Sequence, residues 1–336
     1  MHGGLTLMSK ILVIGSNSFS GSSFCAWLMQ KGYDVFGVSR SEPPNDVFLP
    51  YKWELGNGKF IFRKIDLNND IENLNELIVK ERFNLIFNFA AQSMVGESWT
   101  NPTDWMRTNV LSTSILVEKI RRLDFLDRYI HVTTPEVYGT TDGWVDETTQ
   151  FNPSTPYAVS RAAGDMLLKI YSNNYGMPLV STRAANVYGP GQQLYRIIPR
   201  TIFSLINNET LDLHGGGLST RSFIHMDDVS EATWLIANKG INAETYHIST
   251  KKIISIRNLV ELLCLKLNKN FDDLVNVTAE RMGKDAAYWL DSKKIRDELN
   301  WTDKISLETG LDETIEWAKR NNGILLKQHK NYIHKP

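Results

Sequence analysis

The residues best suited to chemistry in this chain fall in two short stretches. Thr134-Pro135-Glu136 closes an apolar run, and Tyr157 and Arg161 stand four positions apart behind Pro156. A carboxylate at the end of a buried strand can act as base toward a carbon acid if burial raises its pKa. The Thr134 hydroxyl is suited to bonding either a reacting oxygen or the phenol. Pro156 is a helix opener, which puts Arg161 one turn after Tyr157 on the same face. A cation at that spacing is expected to draw a phenol pKa down from about 10 toward a useful value. Together these groups read as a proton-transfer site.

A second constellation points to a cofactor. Gly15-Ser16-Asn17-Ser18-Phe19-Ser20-Gly21 follows the apolar run Lys10–Ile14 and precedes a helical pattern. Small residues there let backbone N–H groups and a helix N-terminus approach a pyrophosphate. The outer glycines of a G-x-x-G-x-x-G pattern are present, while its middle position holds Ser18. An ordinary strand-to-helix turn is the bland alternative, but the place of the motif at the start of a βαβ unit favours a dinucleotide. After the second strand come Ser39-Arg40-Ser41, with no carboxylate until Glu42. An acidic residue there would suit a ribose 2′-hydroxyl and an Arg a 2′-phosphate, so NADP is favoured over NAD. Arg40 lying on the adenine or in solvent is the alternative. Asp66-Leu67, after the third strand, suits an adenine amino group, although Asp66 could equally cap a helix.

These groups need a frame. Short β-branched runs at Lys10–Ile14, Asp34–Val38, Phe60–Ile65, Leu85–Phe89 and Arg128–Thr133 read as strands, and helical patterns lie between them (Phe24, Trp27 and Leu28; Leu74, Leu77 and Ile78). Strand–helix alternation predicts a doubly wound α/β fold, a Rossmann-type parallel sheet with right-handed crossovers. It covers 8–188, with later crossings of the chain back into it. A smaller C-terminal α/β lobe, 189–320, is expected to bind substrate. Residues 1–7 and 321–336 read as peripheral tails, the stretch from Lys327 to Pro336 as frayed.

Composition narrows the classes. Lys and Arg number 37 against 38 Asp and Glu, a formal charge of −1, which argues against a nucleic-acid partner because phosphate neutralisation needs a basic excess. No apolar run approaches the roughly 18–20 residues needed to span a bilayer. The segment before Met8 reads as an extension rather than a secretory signal. Cys25 and Cys264 make neither a disulfide framework nor a metal cluster, and a cytoplasmic location is expected. His225 and His247 lie in strand-like runs without a second ligand at metal spacing, so no metal site is expected.

Taken in order, the motifs resemble the extended short-chain dehydrogenase/reductases, specifically the nucleotide-sugar epimerases and dehydratases. The resemblance spans Met8 to Lys319. It rests on the glycine-rich turn, Asn88-Phe89-Ala90-Ala91-Gln92-Ser93, Asn109, Thr133 to Gly139 and Pro156 to Arg161. It continues through Arg183 to Pro190 and Thr220 to Val229. The sequence is most similar to the sugar-nucleotide 4,6-dehydratases of dTDP-glucose and GDP-mannose type. That resemblance implies a homodimer with a tightly bound NAD(P) and a nucleotide-diphosphate sugar as substrate. Thr134, Glu136, Tyr157 and Arg161 would be catalytic. Gly15, Ser18, Phe19, Gly21, Ser39, Arg40, Ser41, Asp66, Leu67, Ala90, Ala91, Gln92, Asn109, Tyr157 and Arg161 would hold the cofactor. Ser93, Thr134, Pro135, Glu136, Asn186, Arg196, Arg221 and Arg281 would hold the substrate. For Arg221 a structural ion pair with Asp227 or Asp228 is the alternative, and for Arg196 and Arg281 a solvated loop.

Two positions depart from the family pattern. Position 161 is Arg where the family has Lys, which keeps the charge but changes its geometry. Position 135 is Pro where the dTDP-glucose type has an Asp that protonates the leaving 6-hydroxyl. Related reactions therefore stay open: 4-epimerisation, decarboxylation of UDP-glucuronate, or sugar-nucleotide binding without turnover.

Overall fold

The computed structural model describes residues 9–53, 56–279 and 287–336. Its centre is a seven-stranded sheet: β1 Ile11–Ile14, β2 Val35–Ser39, β3 Phe60–Lys64, β4 Leu85–Asn88, β5 Arg128–Thr133, β6 Leu179–Ala184 and β7 Thr245–Ile248. The order across the sheet is β7-β6-β5-β4-β1-β2-β3, and every pairing is parallel. This is the Rossmann-type α/β fold. β1 is apolar without alternation because helices cover both of its faces, and all four of its residues are buried. The chain winds outward from β1 through β2 to β3, then crosses to β4 on the other side of β1. That reversal opens a crevice above the carboxyl ends of β1 and β4, where open α/β sheets take their ligands.

Helix α1, Phe19–Gln30, packs on one face with Phe24 and Leu28 against Ile11, Val13 and Phe87. The other face is covered by α2, Ile71–Glu81, by the run 102–120 (α3) and by α4, Pro156–Tyr175, through Leu74, Ile78, Leu116, Val117 and Leu168. The middle of α3, Arg107–Ser112, is wound as a π-helix. The start of α4 follows from its sequence. Thr155 caps it, its hydroxyl accepting from Ala158 N at 3.1 Å, and Pro156 fills the first turn, where its missing N–H costs nothing. Gly176 ends it at φ +65°.

The second half contributes α5, Ile197–Ile206, α6, Met226–Lys239, α7, Ile256–Lys266, and α8, Leu307–Arg320. α6 returns to the sheet: Val229, Ala232 and Ile236 join the core under α1, and β7 pairs with β6. The remaining helices and the strand pair Leu211–His214 with Val275–Thr278 form a separate core around Leu259, Leu263, Leu311 and Ile315. Residues 327–336 carry no regular structure, yet they are fastened to the protein by Lys330, His334 and Lys335 rather than frayed. Among the described residues no helix is long and apolar enough to cross a membrane.

Candidate active site

The glycine-rich turn lies at the head of β1, and its glycines are required by contact. Gly15 has φ +84°, and a Cβ there would come within 2.7 Å of Ala90 N. At Gly21 a Cβ would sit 2.2 Å from Gly15 O. Ser18, in the middle position, is the N-cap of α1: its hydroxyl donates to Gly15 O at 2.8 Å and accepts from Gly21 N at 3.1 Å. A serine here therefore preserves the tight turn and leaves the helix N-terminus facing the crevice. This close approach of loop, α1 and Ala90 fits a dinucleotide pyrophosphate.

The neighbouring side chains divide into those that shape the crevice and those that face it. Ser39 Oγ accepts from Asn17 N at 2.9 Å, so it pins the loop. Asn88 Oδ1 accepts from Ala90 N at 3.0 Å, which turns the chain after β4. Asn109, on the π-helical turn, clamps the same loop: it accepts from Gln92 N at 2.9 Å and donates to Gln92 O at 3.0 Å and to Ser160 Oγ at 2.9 Å. Asp66 accepts from Asn68 N at 2.9 Å and from Asn69 Nδ2 at 2.6 Å, a turn leading into α2, and Leu67 is buried beside it. Arg40 NH1 donates to the carbonyls of Lys335 and Pro336 at 2.8 and 3.0 Å, and Gln92 Nε2 to that of Lys335 at 2.7 Å. Phe19 packs in the core beneath the loop, and Ser93 is exposed at its end.

Tyr157 is the centre of the proton-transfer group. It lies in the first turn of α4, with Arg161 one turn behind it. The Thr134 hydroxyl hydrogen-bonds the phenol, and the charges of Arg161, Glu136 and Arg196 all act on it. Thr134 heads the turn after β5 and Glu136 is the second residue of that turn, behind Pro135. Arg196, the N-cap residue of α5 in the second half of the chain, adds its charge to the field at the same phenol. The expected fall in phenol pKa does not result. Burial raises it, and this outweighs the lowering by Arg161, Thr134 and Arg196, while Glu136 adds to the rise.

Arg161 is turned toward the sheet. Its guanidinium donates to the Val132 carbonyl and lies 3.4 Å from His131 Nε2. Asp165, a further turn along α4, accepts from Thr133 Oγ1 and Arg183 NH2, each at 2.8 Å, and lies 3.8 Å from His131 Nε2. Arg183 also donates to the Tyr138 hydroxyl, which is 2.8 Å from His247 Nε2. Burial, Arg161 and Arg183 push the His131 pKa well below its usual range, and burial and Arg183 do the same for His247. Both rings are therefore neutral in the folded protein. His131, Asp165 and Arg183 were not among the expected site residues. The spacing 157, 161, 165 along one helix face carries the signal for Asp165.

Asn186 and Arg221 sit together farther along the second half. Tyr288 joins them, donating to Asn186 Oδ1 at 3.3 Å while the Arg221 guanidinium lies 4.5 Å from the centre of its ring. Asp228, one of the acids weighed as a partner for Arg221, accepts instead from Lys304 N and Ile305 N at 3.0 and 2.9 Å. Arg281 lies outside the described residues. Among the described residues no group of His, Cys, Asp and Glu could hold a metal ion.

The parallel sheet with its crevice at the β1–β4 reversal, the helix-borne phenol and the strand-end carboxylate match the frame of the extended short-chain dehydrogenase/reductases. Residues 12–314 match the family model described as GDP-mannose 4,6 dehydratase, and the chain belongs to that family. It is 32% identical over 319 residues to a trifunctional UDP-glucose 4,6-dehydratase/UDP-4-keto-6-deoxy-D-glucose 3,5-epimerase/UDP-4-keto-L-rhamnose-reductase of Arabidopsis thaliana, covering 93% of this chain. The chain spans about half or less of the length of the plant relatives it matches, 47% and 38% for two of them. A dTDP-glucose 4,6-dehydratase of Xanthomonas campestris is 30% identical over 333 residues, 94% of each chain. The crystal structure of dTDP-glucose 4,6-dehydratase from Streptomyces venezuelae with NAD and TYD bound is similar at a TM-score of 0.85 and 30% identity, covering 94% of this chain and 98% of that one.

Proposed function

We propose that the protein is an NAD(P)-dependent nucleotide-diphospho-hexose 4,6-dehydratase, a lyase that yields an NDP-4-keto-6-deoxyhexose for deoxysugar synthesis. The observation that carries this reading is the buried Tyr157 phenol, hydrogen-bonded by Thr134 and lying within the fields of Arg161, Glu136 and Arg196. Gly15, Ser18 and Gly21 would receive the pyrophosphate, with Ala90, Ala91 and Gln92 along the opposite wall. When bound, the dinucleotide supplies the acceptor, and later the donor, of a hydride. Tyr157 takes the proton of the sugar 4-hydroxyl, and Thr134 bonds the same oxygen. With carbon 4 at the ketone level the carbon 5 proton is acidic, and Glu136 removes it. Pro135 has no proton to give, so Glu136 also returns a proton to the 6-hydroxyl as it leaves as water. Arg196, Arg221 and Asn186 would hold the diphosphate, the guanidinium being the natural phosphate fork.

NADP is favoured over NAD because Arg40 stands at the end of β2 without a neighbouring carboxylate. A homodimer is supported by apolar side chains exposed on adjacent helices: Leu111 and Ile115 on α3, Met166 and Ile170 on α4. Met166→Glu should then shift the protein to monomer in sedimentation. The buried free thiols Cys25 and Cys264 suit a reducing cytoplasm.

The test is incubation with dTDP-, UDP-, GDP- and CDP-hexoses followed by mass spectrometry. Loss of one water, abolished in Glu136→Gln with sugar-nucleotide binding retained, is the expected result. Pro135 favours a second reading, 4-epimerisation, which requires no proton donor to a leaving hydroxyl. A product of unchanged mass would select it and overturn the dehydratase.

A further inference from the structure

Residues 328–336 cross the molecule from the second half to the crevice. Lys330 Nζ pairs with Glu209 at 2.6 Å, and the Tyr332 ring stands edge-on to Tyr195 with centroids 5.4 Å apart. His334 stacks on Trp105 at 5.1 Å and 12°, its Nε2 lying 2.7 Å from Asp104 Oδ2. The Lys335 carbonyl then accepts from Arg40 at 2.8 Å and from Gln92 at 2.7 Å, and Lys335 Nζ lies 3.3 Å from Ser41 Oγ. Arg40 follows β2 and Gln92 follows β4, the strands that flank β1. The Lys335 carbonyl therefore links the segment that follows β2 to the segment that follows β4, on either side of β1.

We infer that this segment is an internal competitor of the dinucleotide, a strap that must leave the crevice before cofactor can bind there. The inference rests on the dinucleotide reading of the Gly15 turn. The donors that would face an anionic cofactor, Arg40 and Gln92, are both engaged by the Lys335 carbonyl, and Arg40 by the Pro336 oxygen as well; a backbone oxygen and a ligand group cannot share the same N–H bonds in full. The strap is also suited to opening. It has no regular backbone pairing, and among 328–336 only Gln328, Tyr332 and His334 are even partly buried. Such segments open at small free-energy cost. Its ring contacts fall on Tyr195, whose ring also faces the Arg196 guanidinium, and on Trp105, so His334 on Trp105 is the anchor to loosen.

The experiment uses the full chain stripped of nucleotide, a variant ending at Lys327, and His334→Ala, which removes a single anchor. Binding of NADPH and NADH is followed by nicotinamide fluorescence, and trypsin cleavage after Lys330 is timed with and without NADP. The truncated variant is expected to bind about tenfold more tightly, corresponding to a strap closed about nine-tenths of the time, because apparent affinity scales with the competent fraction. His334→Ala should bind about 2–3-fold more tightly on the same relation, and NADP should speed cleavage after Lys330. Unchanged or weaker binding in both variants overturns the proposal, as does protection from trypsin by NADP, which would make the segment a lid. If the variants bind dinucleotide as expected but no sugar nucleotide is converted, the strap stands and the dehydratase reading falls. If no form binds a dinucleotide, both fall.

Discussion

The two walls of the crevice are fastened by different physics. On the β4–β5–α4 side the polar groups are buried and linked to one another: the Asn109 side chain to the Gln92 backbone and to Ser160, Asp165 to Thr133 and Arg183, Tyr138 to His247. On the side of the second half, Arg196, Tyr195 and the strap are held by ring contacts and partly exposed ion pairs. Buried hydrogen bonds in a low dielectric fix geometry, whereas surface pairs do little to hold it. The rigid wall carries the proposed proton transfer, which needs atoms placed to a fraction of an ångström. The looser wall would carry the proposed binding, where substrate and cofactor would have to enter.

The comparison is broken most sharply at Tyr157. Tyr157→Phe removes the proton acceptor and should lower kcat by about 10²–10⁴-fold while dinucleotide affinity stays within about twofold, read by product formation and fluorescence titration. A comparable loss of affinity would mean that the phenol holds ligand rather than moving a proton. Next, Asp165→Asn strips the buried partner of Arg183 and should cost about 3–5 kcal/mol in urea unfolding. Glu209→Gln, which breaks the exposed pair with Lys330, should cost less than about 1 kcal/mol. Equal costs would erase the distinction between the walls.

Acid should loosen the rigid wall first. His131 and His247 are held neutral in the folded protein, with pKa values well below the ordinary 6.5. Their contribution to stability is present above pH 6.5 and is lost as pH falls from there toward the folded values. Each ring adds a slope of up to about 1.4 kcal/mol per pH unit. Urea midpoints between pH 8 and pH 5 should show that slope, and His247→Asn should flatten it; an unchanged slope would assign acid sensitivity elsewhere. Thr155→Ala should cost about 1 kcal/mol from loss of the α4 cap, measured by the same unfolding curves.

Much of the rigid wall was legible because it is written in local chemistry. Five strands stand within a residue or two of their expected bounds, since a buried strand between helices must be a short apolar run. Pro156 behind Thr155 announced the start of α4, and the glycines at 15 and 21 announced a backbone too close for a Cβ. β6 and β7 were harder to see. β6 follows Leu179 and Val180 with three consecutive polar residues, Ser181, Thr182 and Arg183, and β7 carries His247, polar groups that a sequence pattern assigns to a surface. Arg183 and His247 are satisfied in the interior because both bond the Tyr138 hydroxyl and Arg183 also bonds Asp165, partners that no local window contains.

Amino-acid order by itself determined the parallel α/β frame, the tight glycine-rich turn, and the placement of Tyr157 and Arg161 on one helix face. These depend on residues within a few positions of one another, whose sterics and periodicity act before any long contact forms. Tertiary structure alone decided that Arg161 points to Val132 and His131, that burial overrides the guanidinium at the Tyr157 phenol, and that residues 328–336 lie across the crevice. Each of those outcomes depends on the dielectric and the hydrogen-bond partners found at a point in space, where groups from distant parts of the chain compete for the same atoms.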